Sequence, residues 1–214
     1  MSEEIIKNLN KLSNVANLIS EIYENKVFAN GEKESLFLTY FDLAEEHLMG
    51  IHLLLFKDLN GSAFALVRPF YETFFRALWV NAKATPTELE EIRNDEFKFK
   101  NMTKIAEDID RFYIDENIYQ DFFKNLKQVV WKIMSDFIHS GSNQLSRRWK
   151  NNKLEPNYTE NEILEVIIEV TKTYLWFSYM LFKIHDYNDE AEKVLNIYNQ
   201  YEKDTDFILE KIYN

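Results

Sequence analysis

Three groups of polar residues in this sequence have types and spacings that could support chemistry. The first is Arg68, Glu72 and Arg76, which lie four residues apart in the otherwise apolar segment SAFALVRPFYETFFRALWV. In a helix these side chains share one face. They form either a ladder of ion pairs exposed to water or a polar stripe that faces a cleft. Because this segment has few other polar positions to form a solvated face, both interpretations stay open.

The second group is Asp136 and His139, three residues apart at the end of a predicted helix. A carboxylate at this spacing could orient the imidazole ring and favour its protonated form, which would suit His139 to general acid or base catalysis. The alternative is a histidine that interacts only with the negative C-terminal end of its helix. The other histidines are interpreted as surface or boundary residues: His47, His52 and His185.

The third group lies in the stretch HSGSNQLSRRWKNNKLEPNY, residues 139–158. The candidates for binding a phosphate or nucleotide are Gln144, Arg147, Arg148 and Lys150, and Lys153 is a further basic residue of the same stretch. Trp149 lies among them and could stack on a base. The alternative is a solvated connection that packs Trp149 against the core. No acidic residue lies between Phe137 and Leu154, although the whole chain has a net charge of −11.

Helices must position these groups, because apolar residues recur at helical spacing over most of the chain. A sheet protein would need more turn residues than 4 Gly and 3 Pro in 214 residues. We expect one all-α domain over residues 1–214, folded as a bundle. The spacing predicts long helices at about 3–24, 33–58, 62–84, 116–139, 159–184 and 189–212, with a short helix from about 87 and a polar, partly helical stretch at about 94–116.

Short signals mark where these helices begin and end. Thr87 with Glu90 and Thr159 with Glu162 match the capping box, so each pair is expected to open a helix. Asn60-Gly61 is expected to end the second helix as a C-terminal cap.

Composition excludes several kinds of site. The chain has no cysteine, so it has no disulfide, no thiolate metal site and no cysteine nucleophile. It has no glycine-rich phosphate loop and no Glu-x-x-His pair, so we expect neither a metal nor a cofactor. No segment is apolar enough to cross a bilayer and no secretory signal is visible, so we expect a cytoplasmic protein without membrane association. A chain this acidic repels nucleic acid except at a local basic patch.

Two segments, SAFALVRPFYETFFRALWV and SDFIHSGSNQLSRRWKNNKLEPNY, look like two blocks of a bacterial family of unknown function that resembles the HEPN superfamily (higher eukaryote and prokaryote nucleotide-binding domains). The segment EEHLMGIHLLL is also similar, and the resemblance covers about residues 40–180. It implies an HEPN-like helical bundle with additional helices, often dimeric, in a superfamily rich in toxins and phage-defence ribonucleases. The residues carried over by this resemblance are Arg68, Glu72, Arg76, Asp136, His139, Gly141, Gln144, Arg147 and Arg148.

Two function hypotheses of different classes follow. The first is a non-catalytic HEPN-like domain of a prokaryotic defence or toxin-type system, which binds a nucleotide, a nucleic acid or a protein such as an antitoxin, as a homodimer. The second is a metal-independent endoribonuclease in which His139 is the acid or base and Asp136 orients it. An arginine from another helix, Arg68, or from the 140–158 loop, would stabilise charge on the phosphorane.

One departure favours the binding module. Catalytic HEPN ribonucleases place an arginine before the histidine, with four to six residues between them. The corresponding residues here are Met134, Ile133 and Lys132. A purely structural polar cluster, which ties the 140–158 loop to the third helix, is the remaining interpretation. For either function, we expect the polar groups of the third helix and of residues 136–139 to converge on one cleft roofed by the loop.

Overall fold

The computed structural model describes residues 1–28, 31–113, 121–138 and 141–213. The chain is 79% helical, which confirms the all-α prediction. The described elements are α1 (Glu3–Tyr23), α2 (Glu32–Phe56), α3 (Asn60–Lys83), α4 (Pro86–Arg93), α5 (Met102–Tyr113), α6 (Phe122–Ile138), α7 (Ser142–Ser146), β1 (Trp149–Lys150), β2 (Lys153–Leu154), α8 (Glu160–Ile184) and α9 (Asn188–Tyr213). Of the helices described, none is both long enough and apolar enough to cross a membrane.

The core forms where α2, α3 and α8 meet. Phe177 of α8 lies 5.2 Å from Phe41 of α2 and 5.1 Å from Phe74 of α3, measured between ring centroids. Both α3 and α8 carry buried residues around most of their circumference, as expected for helices that other helices surround. These two helices therefore hold fixed positions from which polar side chains can be presented.

Helix α6 packs antiparallel along α3. Three pairs of ring centroids show this arrangement: Phe74–Phe123 at 6.2 Å, Phe75–Trp131 at 6.3 Å and Phe64–Phe137 at 5.0 Å. The C-terminal end of α6 therefore lies beside the first turns of α3. The other end of α6 is capped by Asp110 of α5, whose carboxylate accepts hydrogen bonds from the backbone N–H groups of Phe123 at 2.8 Å and Lys124 at 3.0 Å.

The predicted role of Asn60-Gly61 is wrong. Helix α2 ends at Phe56, and the left-handed residue after it is Asp58, with a φ of 61°. An aspartate tolerates this conformation because its short side chain can hydrogen-bond locally. Asn60 and Gly61 are the first residues of α3. Gly61 leaves room there for the ends of two side chains, since a Cβ on it would lie 2.8 Å from Tyr158 Oη and 3.0 Å from Arg148 Nη2.

Of the two predicted capping boxes, one is confirmed and one is misplaced. Thr159 and Glu162 form a capping box at the start of α8. The box of α4 is formed by Thr85 and Glu88, not by Thr87 and Glu90. Pro86 at the first helical position fixes this start, because its missing N–H and its restricted φ both suit that position.

The predicted start of the fourth long helix, at residue 116, lies outside the described residues. Asp121 has a φ of 59°, and the helix is described from Phe122 onward. The predicted polar stretch contains α5, which confirms a helical piece between 94 and 116.

Candidate nucleic-acid interface

The stretch predicted to be irregular contains a short β-hairpin. Strands β1 and β2 pair antiparallel, with Trp149 opposite Leu154 and Lys150 opposite Lys153. The two linking residues, Asn151 and Asn152, have φ values of 50° and 62°. Two left-handed residues in succession are typical of a type I′ turn, which matches the twist of a two-residue hairpin. We call residues 148–155 the basic hairpin.

The basic hairpin presents its side chains to solvent. Trp149 is 58% exposed and Leu154 is 73% exposed, so the alternative in which Trp149 packs against the core is wrong. Arg148, Lys150 and Lys153 are exposed as well. In the part of the chain that the structure describes, none of these three cations has a carboxylate within ion-pair distance.

Side chains alternate between the two faces of the basic hairpin. Trp149 and Leu154 share one face, and the opposed lysines share the other face. Like charges directly opposite each other destabilise a strand pair. The lysine pair is therefore a place where a bound anion would relieve repulsion.

The base of the hairpin is fixed to the bundle by Arg147. This side chain forms an ion pair with Glu162 in the first turn of α8, and its guanidinium lies 5.7 Å from the centroid of the Phe137 ring. Burial would raise the pKa of Glu162, but hydrogen bonds from Thr159 and Arg147 outweigh burial and lower it. Arg147, a predicted phosphate-binding residue, thus has an anchoring role in this geometry.

Tyr158 joins the same base to α3 and α6. Its ring centroid lies 5.4 Å from that of Phe64 and 6.4 Å from that of Phe137. Burial raises the pKa of Tyr158, although the positive charge of Arg148 acts in the opposite direction. The guanidinium of Arg148 lies over Gly61, so the hairpin rests on the first turn of α3.

The Arg68, Glu72 and Arg76 group forms the ladder that its spacing predicts. Arg68 Nε donates to Glu72 Oε1 at 2.8 Å, and Arg76 Nη2 donates to Glu72 Oε2 at 3.3 Å. These side chains are 22%, 23% and 37% exposed in chain order. Aromatic rings cover both guanidinium groups, with Trp131 at 5.1 Å from Arg68 and Phe99 at 4.9 Å from Arg76. The ladder is therefore neither fully solvated nor deeply buried.

The predicted convergence of these groups on one cleft depends on residues that the structure describes only in part. Asp136 belongs to the last turn of α6, but its side chain lies outside the described residues, as does the whole of His139. Gly141 precedes α7, and Gln144 is a half-buried residue of α7. Arg68 is seven residues beyond Gly61, which is about 10 Å along the helix axis. A shared cleft stays a prediction.

The remaining histidines differ from one another. Burial lowers the pKa of His47 and of His52, which are half-buried as predicted for boundary residues. His185 is only 7% exposed, and its Nδ1 lies 2.7 Å from the carbonyl oxygen of Leu181 at the end of α8. The prediction of a surface or boundary position is wrong for His185. Across the described ranges, no three His, Asp or Glu side chains are grouped so as to hold a metal ion.

Fold and surface together define an all-α protein with an exposed basic hairpin. The chain belongs to a family of unknown function, DUF6988, whose model matches residues 41–206. The matched region contains both the ladder and the basic hairpin. The predicted resemblance to a family of unknown function is thereby confirmed. No curated protein and no solved structure shows significant similarity to the chain.

Proposed function

We propose that this protein is an HEPN-like helical domain that binds a nucleic-acid strand through the basic hairpin, as a binding module of a prokaryotic defence or toxin-type system. The observation that carries the proposal is the cross-strand pair of Lys150 and Lys153, two exposed lysines without an acidic partner in the described chain. A phosphate between them would replace repulsion by two charge-assisted contacts. The HEPN part of the proposal is supported by the two sequence blocks and by the all-α fold.

The charge of the whole chain restricts where a nucleic acid can bind. At a net charge of −11, most of the surface repels phosphate. The basic hairpin carries three cations without described ion-pair partners, and its single acidic residue is Glu155. The basic hairpin is therefore a place in the described chain where phosphate would be attracted and not repelled.

Trp149 supplies the second contact that a single strand needs. Its large exposed ring lies opposite Leu154, which supports it from the other strand. A base stacked on an exposed aromatic ring contributes about 1–3 kcal/mol, largely independent of sequence. Stacking requires an unpaired base, so a single strand fits this surface better than a duplex.

Fluorescence anisotropy with a labelled single-stranded RNA of mixed sequence tests the proposal. We expect saturable binding by the wild type and its loss when Arg148, Lys150 and Lys153 are replaced by alanine. The control replaces three exposed cations that do form ion pairs: Lys7, Arg93 and Lys104. Both triple variants change the net charge equally. Equal loss of binding in both, or no binding by the wild type, would contradict the proposal.

A metal-independent endoribonuclease is the second candidate. It is favoured by the contact between Phe64 and Phe137, which places the end of α6 beside the first turn of α3 and the base of the hairpin. The sequence continues from there to His139. In this candidate His139 acts as acid or base, Asp136 orients it, and Arg68 or Arg148 stabilises the charged phosphorane.

Cleavage of a labelled RNA in the presence of EDTA separates the two candidates. The ribonuclease requires products with 2′,3′-cyclic phosphate ends, formed by the wild type and not by His139→Ala. If the wild type and His139→Ala both bind RNA and neither cleaves it, the binding module is the remaining candidate. Toxicity on expression in bacteria, lost in His139→Ala, would also favour the enzyme.

The proposal includes self-association as a homodimer. It is supported by large apolar side chains exposed around the α2–α3 connection: Leu53, Phe56 and Leu59, which are more than half exposed. Exposed apolar groups of this size often mark an interface. Sedimentation at micromolar concentration should give twice the mass of one chain, and a monomer would contradict this part of the proposal. An antitoxin or other protein partner is a further prediction.

A further inference from the structure

A second candidate site lies far from the basic hairpin, at the other end of α8. It is a cavity of about 360 Å³ between α1, α2 and α8. Glu162, beside the hairpin, and Leu181, at the cavity, are 19 residues apart on α8, or about 28 Å. The walls are mainly apolar and aromatic, formed by Tyr23, Phe28, Phe41 and Leu181. Two carboxylates of α2, Asp42 and Glu45, also line it.

Glu45 is held rigidly in this cavity by two hydroxyl groups. Tyr23 Oη donates to Glu45 Oε2 at 2.9 Å, and Tyr174 Oη donates to Glu45 Oε1 at 2.8 Å. Tyr174 is fully buried and stacks on Phe41, with 5.6 Å between ring centroids. The carboxylate is therefore fixed in orientation, and each oxygen retains a further lone pair.

No cation neutralises these carboxylates within the residues that the structure describes. No Lys, Arg or His side chain there lies within ion-pair distance of Asp42 or Glu45. The two residues that follow Phe28 in sequence, Ala29 and Asn30, carry no charge. Removing part of a carboxylate from water costs free energy, which a bound cation would offset.

The tyrosines respond to this negative charge. Burial, followed by the charge of Glu45, raises the pKa of Tyr174 well above its ordinary value. Burial also raises the pKa of Tyr23, and both Glu45 and Asp42 add to the effect. A cation in the cavity would face two carboxylates and the electron-rich faces of aromatic rings.

We propose that this cavity binds a small organic cation, an alkylammonium or alkylguanidinium, with its charged group at Asp42 and Glu45 and its apolar part against Phe28, Phe41 and Leu181. The volume is at the small end of the range for ligand sites, which suits a ligand of a few heavy atoms. Aromatic walls attract such cations through the ring quadrupole. This site is independent of the basic hairpin and of the function proposed for it.

Two probes of equal length test the site, n-butylammonium and the neutral n-butanol, titrated into the full chain by isothermal calorimetry or NMR. We expect saturable binding of butylammonium and at least about tenfold weaker binding of butanol, because hydrogen bonds to charged groups are the strong ones. Equal binding of the two probes, or no binding of butylammonium, would overturn the proposal.

Three variants locate the binding. Asp42→Asn and Glu45→Gln each remove one charge at the cavity, and each should weaken butylammonium binding by about tenfold. Glu46→Gln makes the same change on the same helix at an exposed residue that does not line the cavity, and it should bind as the wild type does. Asp42 is exposed, so its variant keeps the test decisive even if Glu45→Gln fails to fold. Wild-type affinity in Asp42→Asn would overturn the proposal.

Discussion

Two basic regions of this protein, the ladder on α3 and the basic hairpin, use their charges in opposite ways. On α3, Arg68 and Arg76 share the carboxylate of Glu72 and lie against the rings of Trp131 and Phe99. On the basic hairpin, Lys150 and Lys153 oppose each other and extend into solvent. Both groups are noticeable in the sequence, yet only the second lacks acidic partners in the described chain.

This difference separates cations that stabilise the fold from cations that could bind a ligand. A guanidinium with a carboxylate partner and a ring across its face has its interactions satisfied within the fold. Opposed lysines without a partner destabilise the hairpin, and a bound anion would relieve that repulsion. Arg147 illustrates the first kind within the second region, because its pair with Glu162 attaches the hairpin to α8.

Reversing the charge of the opposed lysines should have the largest effect. In Lys150→Glu with Lys153→Glu, two phosphate contacts become repulsions, so we expect RNA binding to weaken by about a hundredfold. The free energy of unfolding should change by no more than about 0.5 kcal/mol, because the side chains are exposed. Anisotropy and urea denaturation measure the two quantities. A large loss of stability with unchanged binding would reverse the assignment of the two regions.

The ladder should show the opposite behaviour. Glu72→Gln removes the charge that two part-covered arginines share, so the free energy of unfolding should fall by about 1–2 kcal/mol. Affinity for RNA should be unchanged. Glu46→Gln, at an exposed position of α2, is the control and should alter stability by less than about 0.5 kcal/mol. If Glu72→Gln is as stable as the control, the ladder is not a structural element.

Trp149→Ala separates stacking from charge within the basic hairpin. The exposed ring should contribute to binding and little to stability, so we expect about tenfold weaker affinity for single-stranded RNA. We expect the wild type to bind a duplex more weakly than a single strand, and the substitution should affect duplex binding less. Quenching of tryptophan fluorescence on RNA addition, absent in the variant, gives an independent readout. An identical loss for both nucleic acids would argue against stacking.

The smallest effect concerns the start of α4 and tests which threonine caps this helix. Thr85→Ala removes the N-cap hydroxyl and should lower the free energy of unfolding by about 1 kcal/mol. Thr87→Ala, at the position predicted from sequence, should be neutral within about 0.5 kcal/mol. Thermal denaturation of the two variants in parallel compares them. A larger effect of Thr87→Ala would indicate that Thr87, and not Thr85, is the N-cap of α4.

The helices could be predicted because their signals are local. The helical spacing of apolar residues predicted each long helix. The capping box of Thr159 and Glu162 predicted the start of α8. The Thr85 box was equally readable, since Thr85-Pro86-Thr87-Glu88 has proline at a favoured first helical position. The prediction that Gly61 caps α2 was wrong because the contacts of this residue are with side chains distant in sequence. Tyr158 and Arg148 approach it from almost a hundred residues away.

The spacing of the polar residues could not predict whether their side chains are covered by other elements or exposed to solvent. Arg68, Glu72 and Arg76 follow a helical pattern whether or not Trp131 and Phe99 cover them, because the covering residues belong to other elements. The hairpin had a signal that was missed. Asn151-Asn152 between two short basic and apolar segments is compatible with a type I′ turn. Tyr23 and Tyr174, which fix Glu45, come from different helices and carry no sequence signal as a pair.

The salt dependence of RNA binding tests the central claim most directly. For a single strand, log affinity against log salt concentration has a slope of about −0.7 for each phosphate neutralised. Replacing Lys150 and Lys153 by alanine should reduce the magnitude of the slope by about 1.4. Replacing the ion-paired Lys7 and Lys104 should leave the slope unchanged. An unchanged slope in the first variant, or an equal reduction in both, would contradict the claim that the unpartnered hairpin cations contact phosphate.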